Sequence, residues 1–204
     1  MSPPQETDTR EKILAAAHTV FVRNGVAAAR TQEIADEAGV NKALIHYYFR
    51  TKEELARAVI AQVHMQILPQ AFRILVDPAR TVERKVRDVV DFELDTFSKH
   101  PYLPGFVASE MFTNPQMIAG LMERAGPPPF DVLQAQLDAA ADEGRIRPVR
   151  AKQFVLSLLG AMVFPFVLKP MFDRQILPHP GGFASFIEER KRTLADFFLA
   201  ALRP

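Results

Sequence analysis

The stretch TQEIADEAGVNKALIHYYFRTKEEL, residues 31–55, decides how the N-terminal part of this chain folds. It predicts two short helices separated by Gly39, because glycine adopts a positive φ at no steric cost and so provides a sharp turn. Thr31 and Asn41 are suited to cap these two helices, since their side-chain oxygens can accept a free backbone N–H. Two short helices joined in this way are typical of a helix-turn-helix.

The second of these helices carries the chemistry expected of a surface that binds nucleic acid. Ile45 on its apolar side is expected to pack against Ala35 and Ala38 of the first helix. Its other side is expected to be cationic and aromatic. Residues 40–52 contain no acid, and they include the basic residues Lys42, Arg50 and Lys52 and the polar rings of His46, Tyr47 and Tyr48. Such a local concentration is what a DNA contact requires when the net charge of the chain is near zero.

Helices are predicted on both sides of this motif. Residues 1–8 form a polar tail, and a helix follows from Thr9 to Asn24, capped by Asp8 and stopped by Gly25. On the other side, the spacing from Thr51 to Glu54 is a capping box. The helix that opens there is expected to run to residue 76, before the Asp-Pro pair at 77–78.

The rest of the chain also follows helical spacing, and no useful segment alternates with a period of two. Helices are predicted at about 82–99, 102–112, 115–124, 130–143, 151–168 and 183–202. The fold class is therefore all-α, with about nine or ten helices. Residues 1–52 are assigned to an N-terminal tail and a three-helix helix-turn-helix domain with its core at 9–52. Residues 53–204 are assigned to a larger helical regulatory and dimerisation domain.

The composition places the chain among folded, cytoplasmic proteins. Its 204 residues carry 25 Lys and Arg against 24 Asp and Glu, and 48% of them are hydrophobic. The first residues lack the positive start and apolar run of a signal peptide. The longest apolar stretch, 154–168, has 15 residues, fewer than the roughly 20 that cross a bilayer. We therefore expect a buried helix there and no membrane partner.

Enzymatic chemistry has little support in the sequence. The chain has no cysteine, which removes disulfides, thiolate metal sites and cysteine nucleophiles together. It also lacks a G-x-S-x-G elbow, a phosphate-binding loop and a glycine-rich dinucleotide turn. The histidines, which do not follow metal-ligand spacing, are His18, His46, His64, His100 and His179. A carboxylate pair hidden in the core is the remaining enzyme alternative; we expect no enzyme, no cofactor and no metal.

Residues 9–60 resemble the DNA-binding domain of the TetR family of bacterial regulators. The resemblance rests on many residue types at fixed spacing, and it covers about a quarter of the chain. The matching positions are Ile13-Leu14-Ala15-Ala16-Ala17, Phe21, Gly25, Thr31, Ile34-Ala35, Ala38-Gly39-Val40 and the continuous run from Asn41 to Leu55.

The resemblance implies a set of DNA contacts. Lys42 would reach a phosphate or a guanine edge, His46 and Tyr47 would contact base edges or phosphate, and Lys52 would clamp a phosphate. Two residues depart from the family pattern: Leu44, where a small or hydroxyl residue is common, and His46, where Tyr is common. The operator sequence is therefore not inferable. The full predicted set is Thr31, Asn41, Lys42, Ala43, Leu44, His46, Tyr47, Tyr48 and Lys52.

The family's C-terminal domain forms a dimer, and the sequence supports this separately. Residues 151–168 are apolar nearly all round, which indicates burial on more than one side. Together with the last helix they would form a four-helix bundle between two copies; the alternative is that both helices are only protomer core. The predicted interface residues, which follow three-and-four spacing, are Phe183, Phe186, Ile187, Leu194, Phe197 and Phe198.

The same domain commonly holds a small effector in this family. Met and aromatic side chains suit an adaptable apolar cavity, although at helical spacing they are more often plain core. Glu93 and Glu110 could orient a polar or cationic ligand, or could be ordinary surface or capping charges. The predicted pocket residues are Phe92, Glu93, Phe97, Phe106, Glu110, Met111, Phe130, Phe154 and Met162.

The resemblance therefore implies a homodimeric regulator that binds a palindromic operator in double-stranded DNA. Because the family mostly represses, we expect a repressor that a largely apolar small molecule releases. The alternative is a DNA-binding protein of the same fold that has no inducer and acts through a protein partner.

Overall fold

A computed structural model describes the backbone of residues 3–204 and the side chains from residue 8 onward. Within this part of the chain the structure is helical, with no strand. The helices are α1 (Pro3–Ala28), α2 (Thr31–Ala38), α3 (Lys42–Tyr48), α4 (Lys52–Val76), α5 (Val82–Lys99), α6 (Leu103–Thr113), α7 (Pro115–Ala125), α8 (Phe130–Asp142), α9 (Ala151–Val167), α10 (Lys169–Asp173) and α11 (Gly182–Ala201). The all-α prediction is confirmed, and ten helices remain among the described residues when the five-residue α10 is set aside.

The start of α1 differs from the prediction. The helix begins at Pro3, so Asp8 is not its N-cap but lies within it and accepts a hydrogen bond from Lys12 Nζ at 2.6 Å. Proline is tolerated in the first turn of a helix because the N–H that it lacks has no partner there. Residues 1 and 2 of the predicted tail lie outside the described residues. At Gly25, with φ 73° and ψ 160°, the helix is broken as predicted.

The turn of the helix-turn-helix is built by Gly39, as the sequence predicts. Gly39 has φ 63° and ψ 33°, and its N–H donates to the Asp36 carbonyl at 3.2 Å. The N–H of Val40 donates to the Ala35 carbonyl at 3.0 Å. This pair of bonds closes the C-terminus of α2 in a Schellman motif, which requires the left-handed residue that glycine supplies.

Of the two N-caps predicted for the motif, one is confirmed and the other is wrong. Asn41 caps α3, because its side-chain oxygen accepts the N–H of Ala43 at 2.9 Å. Thr31 does not cap α2: the N-cap is Arg30, and Thr31 is already helical. The Glu33 carboxylate, at the third position of the helix, accepts the backbone N–H of Arg30 at 3.1 Å. This bond helps to fix Arg30 as the N-cap, so the helix begins one residue earlier than predicted.

The long helix α4 joins the N-terminal helices, which we call the head, to the remaining helices, which we call the body. Its first turn is capped by Thr51, whose hydroxyl accepts the Glu54 N–H at 3.1 Å. The Glu54 carboxylate accepts from the N–H of Arg50 instead of from that of Thr51, so only half of the predicted capping box forms. Downstream, α4 packs against α1 in the head and against α5, α7 and α8 in the body.

The core of the body lies between α4, α5, α9 and α11. One face of α5 is buried, and it is formed by Val82, Val86, Val89, Glu93 and Phe97. The helix ends at Lys99, as predicted. Most of the remaining helices begin and end within two residues of the predicted positions. The agreement follows because glycine and proline lie at these helix ends.

A proline in α9 is compensated by an arginine of α11. Pro165 lacks the N–H that would bond the Ala161 carbonyl one turn earlier. Arg190 fills this gap, donating its Nε and Nη2 to the Ala161 oxygen at 3.1 and 2.7 Å. The two helices are therefore joined by hydrogen bonds as well as by apolar packing.

Two segments, Lys52–Val76 and Ala151–Asp173, are long and apolar enough to cross a membrane by length and composition alone. The second includes α9, for which burial on more than one side was predicted. That prediction was made for a bundle of two copies. In the single chain one face of α9 is buried, whereas Leu156 and Phe164 on the other are 60% and 59% exposed, because no described element of the chain covers that side.

Candidate nucleic-acid interface and regulatory sites

The outer face of α3, formed by Lys42, Ala43, His46 and Tyr47, is exposed to solvent. Tyr47 is 71% exposed, although a tyrosine ring usually contributes to packing. Its ring meets that of Tyr48 edge-on, with the centroids 5.1 Å apart. This face therefore presents a cation, an imidazole and a phenol beside one small residue, with no acid among them.

The inner side of α3 holds the helix in place. Ile45 is fully buried with Ala35, and Phe49 directly after the helix is buried too. The guanidinium of Arg10 lies 5.3 Å from the centroid of the Phe49 ring, a cation–π contact. Leu44, which belongs to the predicted set of DNA contacts, is half-buried and packs against the core, which favours a packing role for this residue.

Lys52 has a structural role that the sequence did not predict. Its ammonium donates to the carbonyls of Ala27 and Ala29 at 2.9 and 3.2 Å, beyond the break in α1. A lysine ammonium has three protons, so one remains for another acceptor such as a phosphate. Lys52 thus joins the start of α4 to the end of α1.

The acids near the motif are held away from α3. Glu33 accepts from Asn24 as well as from the Arg30 backbone, and Asp36 accepts from Gln32. The carboxylate of Glu37 lies 3.6 Å from the guanidinium of Arg23. Because these partners occupy the acids of α2, the positive charge on the α3 side is left without a neighbouring anion from α2.

The head and the body meet through two polar contacts that sequence spacing does not reveal. His18 Nε2 of α1 lies 2.8 Å from His100 Nδ1 at the end of α5. Burial lowers the pKa of both imidazoles, and the His18 ring lowers that of His100 further. Between α4 and α6, Arg57 Nε donates to Glu110 Oε2 at 2.9 Å. The partners are far apart in the chain, so no local pattern could have identified either pair.

The predicted pocket residues do not surround one cavity. Phe97, Phe154 and Met162 are buried in the core, Met111 is exposed, and Phe106 lines a cleft between the head and the body. Phe154 meets Phe198 edge-on at 5.8 Å between centroids. The half-buried rings are Phe92 and Phe130, and Lys152 Nζ lies 5.9 Å from the Phe130 centroid.

The two predicted carboxylates of the pocket differ in environment. Glu110 is buried, but the Arg57 guanidinium satisfies it. Glu93 is also buried, and burial raises the pKa of its carboxyl to about 7. Among the described residues no group of three or more His, Asp or Glu side chains is placed to hold a metal ion.

The predicted dimer residues divide between the two sides of α11. Ile187, Leu194 and Phe198 are buried within the protomer. Their placement in an interface is wrong, because they form the side of α11 that packs into the protomer's own core. Phe183 and Phe186 are half-buried beside Phe172. Only Phe197 points fully outward, with 71% of its surface exposed.

An apolar surface that the sequence did not identify lies beside Phe197. Together with the exposed Leu156 and Phe164 of α9 it makes up what we call the α9–α11 face; Phe164 and Phe197 line two neighbouring clefts that share Ala161 and Arg190. Between these helices and α10 is a cavity of about 770 Å³, lined mainly by apolar side chains. Three-and-four spacing shows which residues share a helix face, but in a helix apolar on several sides it does not show which face the protomer itself covers.

This geometry defines a helix-turn-helix protein with a helical body, and comparisons with known proteins agree. A sequence model for the bacterial regulatory proteins of the tetR family matches residues 13–59. The chain is 32% identical over 107 residues to the HTH-type transcriptional repressor NicS of Pseudomonas putida, an alignment that covers 52% of this chain and 50% of NicS. The chain thus spans about half the length of this curated relative.

Solved structures share the whole fold. A TetR transcription regulator from Haloarcula marismortui superposes with a TM-score of 0.65 at 21% identity, covering 96% of this chain and 98% of its own. The regulator FadR from Bacillus subtilis, solved in complex with stearoyl-CoA, gives 0.64 at 16% identity and covers 95% and 99%. At these identities the likeness shows the fold alone. The head therefore matches the tetR-family sequence model over residues 13–59, and the chain as a whole shares the fold of these regulators. NicS is described as a transcriptional repressor.

Proposed function

We propose that this protein is a cytoplasmic, DNA-binding transcriptional repressor. The observation that carries the proposal is the outer face of α3: a packed, seven-residue helix that exposes a lysine, a histidine and a tyrosine at the end of a stabilised turn. Such a helix in the major groove reads base edges with its outward side chains. NicS, to which the head is similar, is a repressor, and this supports the sign of regulation.

The proposed contacts fall into two groups. Lys42, Ala43, His46 and Tyr47 would enter the groove, because they share the exposed side of α3. Contacts with the phosphate backbone are assigned to Thr31, Asn41, Tyr48 and Lys52. These would fix the position of the helix without reading sequence.

The experiment that tests this function is the selection of bound fragments from genomic DNA, followed by titration of the enriched operator. His46→Ala with Tyr47→Ala should reduce operator affinity by about 30-fold or more, since two contacts worth about 1–3 kcal/mol each are lost. The helix content and the oligomeric state should not change, because both side chains are exposed. A variant that retains the wild-type affinity would refute the proposed use of α3.

We also propose that the protein acts as a homodimer through the α9–α11 face. Large apolar groups that are this exposed on two adjacent helices usually mark a protein interface. Two helices from each protomer would form a four-helix bundle. A dimer is also the arrangement that places two recognition helices about 34–36 Å apart, one turn of DNA, and so suits a palindromic operator.

Release by a largely apolar small molecule is the proposed mode of regulation. This proposal is supported by the apolar character of the body and by FadR, a protein of the same fold solved with stearoyl-CoA. The alternative is a regulator that has no inducer and responds to a protein partner. Titration of the operator complex with a protein-free small-molecule extract, and separately with the protein fraction, distinguishes the two, because only one of them should release the DNA.

A further inference from the structure

A cleft of about 550 Å³ lies at the junction of the head and the body. One wall is the C-terminal end of α1, from Phe21 to Ala27; the second is residues 101–109 around the start of α6; the third runs from the end of α9 into α10. We call this space the junction cleft. Since the first wall belongs to the head and the other two to the body, an occupant would contact both units.

The floor of the junction cleft is aromatic. Phe21, Tyr102, Phe106 and Phe166 line it, and the rings of Phe21 and Tyr102 meet at 6.0 Å between centroids. The charged side chains at its rim have partners: Lys169 bonds Asp173 at 2.7 Å, and Arg23 pairs with Glu37 at the rim of the head. The interior therefore suits an uncharged, mainly apolar occupant.

One polar group in this floor is left unsatisfied. Tyr102 is 9% exposed, and its hydroxyl is buried with no hydrogen-bond partner among the residues that the structure describes. Nearly all buried hydroxyls in folded proteins have a partner. Burial also raises the pKa of this phenol, so it remains a neutral donor at physiological pH. The ring of Tyr102 lines the cleft, and a small rotation of this side chain would bring the hydroxyl to a ligand oxygen, which can supply the acceptor that the protein does not.

We propose that the junction cleft is a binding site for a small, uncharged, mainly apolar molecule carrying one carbonyl oxygen, to which the Tyr102 hydroxyl donates. One or two rings would fit the volume. This site is separate from the core residues predicted to form an effector pocket, of which only Phe106 lines it. The head and the body both contact the ligand, so its occupancy would stabilise one orientation of the helix-turn-helix relative to α6.

The binding test uses the full chain and two probes of matched shape, 2-acetylnaphthalene and 2-isopropylnaphthalene, measured by equilibrium dialysis without DNA. The wild type should bind both, and should favour the ketone once the water–octanol partition of each probe is taken into account. Tyr102→Phe should reduce the binding affinity for the ketone about 5- to 10-fold and leave the affinity for the hydrocarbon unchanged. Its thermal stability should be no lower than that of the wild type, because the hydroxyl that it removes has no partner.

A second pair of variants tests the location. Gly105 lines the cleft in α6, and a Cβ added there meets nothing within 4 Å. Gly105→Phe should therefore fill the space and abolish binding of both probes. Gly120→Phe is the matched control, since this half-buried glycine of α7 also has nothing within 4 Å of an added Cβ and lies outside the cleft. It should bind like the wild type.

Three results would overturn the site: no binding of either probe at its solubility limit, ketone binding that Tyr102→Phe does not change, or binding that Gly105→Phe does not reduce. The effect on DNA rests on the proposed function and is measured separately. 2-Acetylnaphthalene should change operator affinity in the wild type and in Gly120→Phe but not in Gly105→Phe. A chain that binds the ketone but no DNA would refute the repressor and leave the site intact.

Discussion

At the scale of single residues, Lys52 combines two roles that are usually separate. Its ammonium joins two carbonyls after the break in α1 to the first turn of α4, and the proposed phosphate contact would use the third proton. A residue held in this way has little freedom left to lose on binding, so its contact with DNA is pre-organised.

Lys52→Ala and Lys52→Gln distinguish the two roles. If the charge contacts a phosphate, both variants should bind all DNA sequences more weakly, and the slope of log affinity against log salt should flatten by about one unit. Lys52→Gln keeps a donor for the α1 carbonyls, so it should be the more stable of the two. Gel-shift titrations at several salt concentrations give the slope, and urea unfolding gives the stability. An unchanged slope in both variants would leave Lys52 with its structural role alone.

Glu93 should make stability depend on pH. Burial raises the pKa of its carboxyl from 4.5 to about 7, so the folded state binds this proton more tightly than the unfolded state. The stability that this proton contributes is fully present below pH 4.5 and is lost as the pH rises through 7. The loss in the free energy of unfolding is about 3 kcal/mol at most. Glu93→Gln removes this loss, and its free energy of unfolding should exceed that of the wild type increasingly from pH 5 to pH 8.

The histidine pair at the junction makes stability depend on pH in the direction opposite to Glu93. Burial lowers the pKa of His18 and His100, so their contribution is present above their usual pKa of 6.5 and is lost as the pH falls through the folded values. The pH titration of Glu93→Gln is therefore read as a difference from the wild type, in which the histidines cancel. Parallel stability curves for the two proteins would show that Glu93 does not titrate in this range.

At the scale of secondary-structure elements, α4 is joined to α6 by an ion pair between Arg57, which is 35% exposed, and the buried Glu110 carboxylate. Arg57→Met leaves the Glu110 carboxylate buried without its partner and should cost about 1–3 kcal/mol of unfolding free energy. Glu110→Gln leaves a group that can still hydrogen-bond, so it should cost less. Urea unfolding of both single variants and of the double variant completes the cycle, and the double variant should recover part of the loss. Strict additivity would mean that the pair contributes no coupling.

The sequence predicted these elements more fully than their surroundings. Gly25, Gly39 and the Asp-Pro pair at 77–78 end helices for reasons of backbone geometry that a single chain reveals. The cap of α2 was missed because the helix begins one residue earlier than predicted, with Arg30 at the N-cap and its N–H bonded to the Glu33 carboxylate. The outer face of α3 could be predicted, since it depends on a short local motif. The His18–His100 contact could not, because 82 positions separate the two rings.

At the scale of the whole molecule, the α9–α11 face gives the proposed dimer its test. Phe164→Arg with Phe197→Arg places two charges at the centre of this face and should yield a folded monomer with greatly reduced operator affinity. Phe112→Arg is the control, because this phenylalanine of α6 is 90% exposed but lies elsewhere. Sedimentation velocity should detect the difference. A dimer that survives the double substitution would place the interface on another surface.

The regulatory proposal also belongs to this scale. The head and the body share α4, the histidine pair and the junction cleft, so a ligand that contacts both units can shift the orientation of the head. A coupling of about 1–3 kcal/mol would change DNA affinity about 5- to 150-fold.

The arginine of α11 that replaces the hydrogen bond missing at Pro165 has a consequence for how the proposed dimer can move. Its planar fork donates two hydrogen bonds to one carbonyl of the neighbouring helix, and sliding α11 along α9 by a single turn would break both. The bonds therefore favour one register of the two helices, and we expect α9 and α11 to move together. In the proposed dimer, a shift of this helix pair would tilt the partner subunit.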